Sequence, residues 1–215
     1  EFRFYAGIAI ISIILITVNL TGSVFSSIGE SLRHASFQVS SVITTTGYST
    51  YDFNLWPTFS KAILVLLMFI GASAGSTGGG IKCIRVLVLL KTVRREMKKV
   101  LHPRSVNTVQ VSGRNLDDGV MSGVTSYFYA FFLVFVVSIL LISLDGKDLI
   151  TTFTSVVATI SNIGPGLGSV GPMGNFAEFS DFSKFVLSFT MLFGRLEIFP
   201  MMLLFTPSFW RRANI

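Results

Sequence analysis

The chain has 215 residues, a formal net charge of +6 and a mean hydropathy of +0.69. Charged residues make up 13% of it, about half the share of a typical soluble domain, and its basic residues are concentrated in one segment, which argues against a soluble nucleic-acid-binding protein. The 21 Phe residues exclude a disordered chain and the lone Cys83 excludes a disulfide scaffold, so an integral membrane protein with several spans remains.

Four apolar segments are candidates for helices that cross a bilayer core of about 30 Å. They cover residues 4–20, 56–71, 127–144 and 182–205. Two shorter apolar segments, 30–43 and 149–160, lie between these spans, and we predict that they are re-entrant helices beside a protein wall or a water-filled cavity. The chain begins without Met, at Glu1, and we expect it to be part of a longer protein.

Basic residues cluster between the second and third spans, which places this segment in the cytoplasm by the positive-inside rule. Beside a span, such a cluster indicates topology or lipid contact rather than binding of nucleic acid. The short apolar segments then enter from outside, where acidic residues outnumber basic ones and would concentrate cations, although ordinary solvated loops have the same composition. The basic residues of the segment are Lys82, Arg85, Lys91, Arg94, Arg95, Lys98, Lys99, Arg104 and Arg114.

The order of span, short apolar segment, glycine turn and span occurs twice. The turn glycines are Gly47 and Gly164, and each copy ends in a span with a related peptide, Met-Phe-Ile-Gly at 68–71 and Met-Leu-Phe-Gly at 191–194. Both copies face the same way, so their symmetry axis runs along the membrane normal and can enclose a pore. We therefore predict an all-α membrane protein of two parallel span–pore-helix–span repeats, covering 1–98 and 119–215, joined by a cytoplasmic linker at 99–118.

Each glycine turn has the features of an ion filter, in which backbone carbonyls replace the water around a cation. Residues 45–49, Thr-Thr-Gly-Tyr-Ser, resemble the Thr-Val-Gly-Tyr-Gly potassium filter, and residues 162–166 match it at both glycines. The helix before each turn would direct its partly negative C-terminal end at the ion, which favours a cation. Two ordinary glycine turns are the alternative. The predicted ligands are the main-chain carbonyls of Thr45, Thr46, Gly47, Tyr48, Asn162, Ile163 and Gly164.

Four motifs together resemble the Trk/Ktr/HKT superfamily of potassium transporters, and its bacterial TrkH-type members in particular. They are residues 44–50 (TTTGYST), 74–82 (AGSTGGGIK), 161–168 (SNIGPGLG) and 194–200 (GRLEIFP). The family builds one pore from four repeats in a single chain, so the resemblance implies the C-terminal half, repeats three and four. The filters of this family keep one glycine per repeat, where the tetrameric channels keep two, and Ser49 and Pro165 fit this looser pattern.

The resemblance also has implications for ligands, partners and location. Potassium would be the transported ion, with no covalent cofactor. The partners would be the other two repeats, a second copy of the full-length chain in a homodimer, and a cytosolic nucleotide-binding regulatory subunit. The location would be the cell inner membrane.

Residues 72–80 are all small, and we refer to them as the small-residue loop. Gly disfavours helix by about 1 kcal/mol relative to Ala, so three glycines in a row should break the span in mid-membrane, with the helix resuming from Ile81. In the family a gating loop lies here, which assigns gating roles to Gly75, Gly78, Gly79, Gly80 and Lys82. The alternative is close helix–helix packing through small residues.

Arg195 lies about 16 Å deeper along its helix than Lys184, near the bilayer centre, where an Arg needs acceptors. Glu197 is two residues away on another helix face, so we predict that carbonyls of the small-residue loop accept its hydrogen bonds. The resemblance places this Arg in the pore below the filter, where its charge would repel a passing cation. A structural ion pair without effect on conduction is the alternative.

Residues 71–75 also fit the Gly-x-Ser-x-Gly pattern of serine hydrolases, which raises an intramembrane serine protease as a rival function. Ser73 would need a nearby base, and the sequence contains only His34 and His102, neither of them at mid-membrane depth. We therefore expect a transporter and no enzyme.

Overall fold

The structure is a computed structural model that describes residues 1–102, 109–111, 114–196 and 198–204. It is mostly helical. Two short pairs of strands interrupt the helices, so the described part is not purely α: β1 (Ile70–Gly71) pairs with β2 (Ile81–Lys82) in parallel, and β3 (Gln110–Val111) pairs with β4 (Arg114–Asn115) in antiparallel. The helices are α1 (Phe2–Leu20), α2 (Ile28–Ile43), α3 (Thr58–Phe69), α4 (Cys83–Leu101), α5 (Asp118–Ile142), α6 (Leu149–Ile160), α7 (Asp181–Arg195) and α8 (Ile198–Leu204).

Two helical segments are apolar and long enough to cross a membrane, Phe2–Leu20 and Asp118–Asp145 in the described residues, and α7 with α8 passes the same test as a bent pair. The helices α2 and α6 are shorter than these two spans. The helices α1 and α3 pack on α2, of which Leu32 and Phe37 stay exposed, and α5 and α7 pack on α6. The buried residues of α2 and α6, among them Val39, Ile43, Val156 and Ile160, belong to one continuous apolar core. The fold therefore supplies the protein wall that a short membrane-embedded helix requires.

The second predicted span is broken where its small residues begin. The helix α3 ends at Phe69 and α4 begins at Cys83, and between them β1 and β2 pair Ile70 with Ile81. The Cys83 amide also donates to the Ala72 carbonyl at 3.3 Å. The small-residue loop is thus closed at its base by a short stem, which is the organisation of an Ω-loop.

The fourth predicted span, residues 182–205, is bent within the described residues. The helix α7 ends at Arg195, and α8 leaves from Ile198 at an angle of 120°. Pro200 is the physical reason, because its ring has no amide hydrogen for the Leu196 carbonyl and clashes with it in a continuous helix. Glu197 lies outside the described residues.

The connection between α4 and α5 lies at the end of the molecule for which the sequence predicts a cytoplasmic location. The Lys91 ammonium donates to the Gln110 carbonyl at 2.6 Å, and Val88, Val109 and Met121 form a small separate apolar cluster there. The helix α4 continues to Leu101, past the boundary placed at residue 98, and the three-part division of the chain stays a prediction.

Candidate functional site

The helices α2 and α6 end in the same backbone motif. Their last residues are followed by Thr44 and Ser161 in helical conformation, and then by Thr45 and Asn162 with positive φ angles of 56° and 53°. Positive φ is uncommon outside glycine, and for a β-branched Thr it marks a constrained turn. The two turns therefore share a backbone conformation, although their sequences have just one glycine in common.

Hydrogen bonds of the Schellman type hold both turns. In each, the left-handed residue and the one after it donate their amides back to the last turn of the helix. The first turn has Thr45 N to Val42 O at 3.0 Å and Thr46 N to Ser41 O at 2.9 Å, and the second has Asn162 N to Thr159 O at 3.0 Å and Ile163 N to Ala158 O at 2.9 Å. The corresponding residues are 117 positions apart throughout, the same separation as Gly47 and Gly164.

Most main-chain carbonyls of the two predicted filter segments accept no hydrogen bond, unlike the carbonyls within the helices. The two segments are residues 45–48 and 162–164. Among the described residues, six of these carbonyls accept no hydrogen bond from protein: those of Thr45, Thr46, Gly47, Asn162, Ile163 and Gly164. The Tyr48 carbonyl is the exception, because the Ser41 hydroxyl donates to it at 2.6 Å. Unused backbone carbonyls in a membrane-embedded region require another partner, such as water or a cation.

The two filter segments approach each other at Gly47, where φ is +81°. A methyl group at Gly47 would fall on the Ile163 carbonyl oxygen and lie 3.2 Å from Cδ of Pro165. Gly164, with φ +110°, has open space on the corresponding side. Gly47 is therefore needed both for its backbone angle and for the contact between the segments.

Buried polar side chains of α2 brace the segment that follows the first turn. Ser41 holds the Tyr48 carbonyl, Gln38 Nε2 donates to the Tyr51 carbonyl at 3.2 Å, and His34 Nδ1 lies 3.0 Å from the Thr50 hydroxyl. All three side chains are buried. They fix the outgoing segment against its own helix.

Thr151 and Thr154 of α6 have the same role in the second copy. The Thr154 hydroxyl contacts both the amide and the carbonyl of Leu167, at 2.9 and 3.1 Å, and Thr151 accepts from the Ser169 amide at 3.1 Å. The sequence analysis missed these bracing residues. The sequence signal for these residues is polar side chains spaced three or four positions apart on otherwise apolar helices.

The small-residue loop lies directly against both turns. A methyl group at Gly78 would be 3.0 Å from the Thr45 hydroxyl, and one at Gly79 would be 2.7 Å from the Ser161 carbonyl carbon and 2.9 Å from Asn162 Cβ. Gly75, by contrast, faces open space. The loop therefore touches the ends of α2 and α6 together, through residues that have no side chain to separate them.

Two cationic side chains bind successive carbonyls of this loop. Lys82 Nζ donates to the Ser76 carbonyl at 2.7 Å and the Gly78 carbonyl at 2.5 Å, and Arg195 Nη1 donates to the Thr77 carbonyl between them. The acceptor predicted for Arg195 is therefore confirmed. A cavity of about 230 Å³ lies beside these groups and is also lined by Arg85.

The helix α7 carries Arg195 close to the second turn. A methyl group at Gly194 would be 2.7 Å from the Ile160 carbonyl carbon, and Asn162 Nδ2 donates to the Met191 carbonyl at 3.0 Å. Gly194 thus permits α7 to approach the end of α6, and the amide of Asn162 ties the second filter segment to α7.

The structure does not assemble the serine protease considered above. The His34 ring hydrogen-bonds to the Thr50 hydroxyl and stacks on Phe25, with ring centroids 4.9 Å apart. His102 follows the C-terminal end of α4, roughly 27 Å along the helix axis from the loop that holds Ser73. Neither histidine is placed to act as a base for Ser73.

Comparisons with known proteins agree on one family. A family model described as TrkH, cation transport protein, matches residues 3–212. The chain is 42% identical over 212 residues to the Trk system potassium uptake protein TrkH of Escherichia coli (strain K12), covering 98% of this chain and 44% of that protein. It is 36% identical over 211 residues to TrkG of the same organism, again covering 98% of this chain and 43% of the relative.

A solved structure matches equally well. The crystal structure of the potassium transporter TrkH from Vibrio parahaemolyticus has a TM-score of 0.90 and 41% sequence identity, covering 98% of this chain and 45% of that one. The chain therefore spans less than half the length of the relatives that it matches.

Proposed function

Because this chain belongs to the TrkH family of cation transport proteins, we propose that it forms half of a potassium uptake pathway in the cell inner membrane. It is a membrane protein with several apolar helices and a member of a transporter family, not of an enzyme family. Its two halves act as parallel repeats, the third and fourth of four. The single observation that carries the proposal is the set of six unused carbonyls at the ends of α2 and α6.

Potassium passes between these carbonyls, which replace part of its hydration shell. The helices α2 and α6 both end at the ion path, so the partly negative ends of two helix dipoles favour a cation there. The Schellman turns support this role because they satisfy the last helical carbonyls internally and leave those of the next residues free. No covalent chemistry and no cofactor takes part.

The small-residue loop and Arg195 gate this path. The loop occupies the space against both turns, and Arg195 and Lys82 hold its carbonyls at residues 76–78. A fixed positive charge in a region of low dielectric repels a cation strongly. Opening requires that the loop and the Arg195 side chain both leave the path, either together or after the hydrogen bond between Arg195 and the Thr77 carbonyl breaks.

The remaining two repeats complete the pore, and the full-length chain forms a homodimer in the bilayer. A cytosolic nucleotide-binding regulatory subunit docks on the inner face, where the basic residues of α4 lie. These partners are inferred from the family to which the chain belongs.

Ion flux into liposomes tests the proposed function. The full-length protein should take up rubidium, a potassium analogue, faster than sodium, and excess external potassium should compete with the rubidium. Empty liposomes provide the baseline. Rubidium and sodium fluxes that equal this baseline, or that do not differ from each other, would contradict a potassium pathway.

A further inference from the structure

The side chain of Asn54 connects the two halves of the chain beside the proposed filter. Its Nδ2 donates to the Gly168 carbonyl at 3.1 Å, and its Oδ1 accepts from the Gly168 amide at 3.0 Å. One amide side chain thus pairs with both backbone groups of a single residue, as a neighbouring strand would. The two residues are 114 positions apart in the chain.

Asn54 itself is held at every polar group. Its amide donates to Asp52 Oδ1 at 3.0 Å, and its carbonyl accepts from Lys61 Nζ at 3.2 Å. It belongs to a short 3-10 turn, Phe53–Leu55, which the fully buried Phe53 anchors in the core against Trp56. With its backbone fixed in this way, the side chain has little freedom to follow a movement of Gly168.

Both ends of this bridge lie on segments that leave a filter turn. Gly168 is four residues after Gly164 and is flanked by Leu167 and Ser169, which α6 braces through its threonines. Asn54 follows Tyr51, whose carbonyl α2 braces through Gln38. The bracing bonds act within each repeat, whereas the Asn54 pair joins one repeat to the other.

We propose that Asn54 is a positioning residue that sets the separation of the two filter segments and thereby the selectivity of the pore for potassium over sodium. The inference rests on the proposed function. A filter discriminates between ions only if its carbonyls are held at defined positions and in defined number. Within the described residues, the Asn54–Gly168 pair is a direct connection between the outgoing segments, so its loss permits them to move apart.

Gly171 offers a second way to break the same pair. A methyl group there would lie 2.8 Å from Cγ and 3.1 Å from Oδ1 of Asn54, and φ at Gly171 is −64°, which any residue adopts. Gly171→Ala therefore displaces the Asn54 side chain without straining its own backbone.

The experiment measures the rubidium-to-sodium uptake ratio of the full-length protein in liposomes at equal protein content. Loss of two hydrogen bonds in Asn54→Ala should lower this ratio by about threefold or more, and the isosteric Asn54→Asp, which loses the donor to Gly168, should lower it as well. Asn175→Ala is the matched control, because Asn175 is an exposed residue whose side chain accepts only from the nearby Ala177 amide.

A double-variant cycle identifies the mechanism. Gly171→Ala alone should lower the ratio, but in the Asn54→Ala background it should have no further effect, because the displaced side chain is already absent. Additive losses would overturn the proposal, as would ratios in the Asn54 variants equal to that of Asn175→Ala.

Three further outcomes separate a failure of this inference from a failure of the proposed function. If Asn54→Ala and Asn54→Asp both fail to fold while Asn175→Ala folds, Asn54 is a folding element and the positioning role is wrong. If the unmodified protein does not discriminate between rubidium and sodium, the proposed function fails and the inference fails with it. If the unmodified protein discriminates and the variants do too, the inference alone is overturned.

Discussion

At the scale of single residues, the left-handed backbones of Thr45 and Asn162 carry a free-energy cost. Residues held in such conformations cost of the order of 1–3 kcal/mol each, and they persist only where the surroundings determine them. Here the surroundings are two Schellman hydrogen bonds per turn and a buried helix on one side. These hydrogen bonds and the packing of the helix offset the cost, and the same geometry leaves the carbonyls that follow free to bind another partner.

Gly47→Ala should abolish discrimination between potassium and sodium before it prevents folding. The substitution strains a backbone with φ of +81° and places a methyl group on the Ile163 carbonyl, so the two filter segments must separate. The measurement is the rubidium-to-sodium uptake ratio of the folded variant. Gly7→Ala, in α1 with open space around it, is the control and should leave the ratio unchanged. An unchanged ratio in Gly47→Ala would count against the filter assignment.

Arg195→Ala should raise basal rubidium flux if Arg195 is an electrostatic barrier, because it removes a positive charge from the ion path and releases the Thr77 carbonyl. The order of ion selectivity should stay the same, since both filter segments are untouched. Arg195→Lys should be intermediate, because the ammonium keeps the charge but loses the planar fork of donors.

Lys184→Ala is the matched control for Arg195. It removes a positive charge from the same helix, at a half-buried position where Lys184 lies 3.8 Å from the exposed Asp181, and basal flux should not change. A folded Arg195→Ala protein with flux at or below that of the parent would refute the barrier role. If Arg195 has only a structural role, Arg195→Ala should instead lower the free energy of unfolding by about 1–3 kcal/mol, because the Thr77 carbonyl loses its donor.

At the scale of elements, the small-residue loop resembles a plug on a short stem. The pairing of β1 with β2 closes its base, and its side-chain-free surface at Gly78 and Gly79 fits against two helix ends. A loop of this kind can be shortened without disturbing the helices on either side, because its stem remains paired.

Deletion of residues 78–80 should therefore raise flux in the absence of any activator, with protein yield near normal. Gly79→Ala should act in the same direction, because its methyl group would push the loop away from Ser161. Gly123→Ala, at a helical position with nothing within 4 Å, is the control for a simple glycine effect. If deletion lowers stability and yields no gain in flux, the loop is a packing seam and not a gate.

The start of α6 makes the stability of the protein sensitive to acid. Asp148 Oδ2 accepts from the Thr151 amide at 3.0 Å, and hydrogen bonds from Thr151 lower the pKa of this carboxyl below its ordinary value. Because the folded-state pKa is depressed, the stabilisation is present above about pH 4 and is lost as the pH falls through the folded-state pKa.

Asp148→Ala should lower the free energy of unfolding by about 1 kcal/mol at pH 7, the usual contribution of an N-cap. The difference from the parent should shrink as the pH falls through the folded-state pKa, because the parent carboxyl then becomes protonated. Asp148→Asn keeps a capping oxygen and should lie near the parent at pH 7. Thermal unfolding in detergent measures these differences, and a difference that grows on acidification would contradict the capping role.

At the scale of the whole molecule, charge and shape divide the protein into two ends. The basic residues cluster on the second half of α4, where Arg95 pairs with Asp118 at 3.0 Å, and Asn175 lies in the connection between α6 and α7. The positive-inside rule assigns the basic end to the cytoplasm.

Single-cysteine labelling should confirm this orientation. In a Cys83→Ser background, which removes a buried thiol, Asn175→Cys should react with a membrane-impermeant thiol reagent added to intact cells. Lys98→Cys, equally exposed, should react only after the membrane is opened. Reaction of both positions, or of Lys98→Cys alone, in intact cells would refute the assigned topology.

The sequence by itself determined the features that depend on local composition. The apolar segments, the break at residues 72–80, the turns at Gly47 and Gly164 and the need of Arg195 for loop carbonyls were all predictable, because hydrophobic length, glycine content and the cost of a buried charge act within a short stretch of chain. The bend after Arg195 also has a local cause, Pro200, but the apolar run at residues 182–205 predicts only a span and not its bend.

Only the tertiary structure decided which of these features touch. The contact of the small-residue loop with both helix ends, the bracing by buried polar residues of α2 and α6, and the Asn54–Gly168 pair join residues that are far apart in the chain. A hydrogen bond between a side-chain amide and a distant backbone leaves no periodic pattern in the sequence, since its partner is any residue that packing brings within 3 Å. The proposed path for the ion is therefore a property of the packing, built on turns that local sequence encodes.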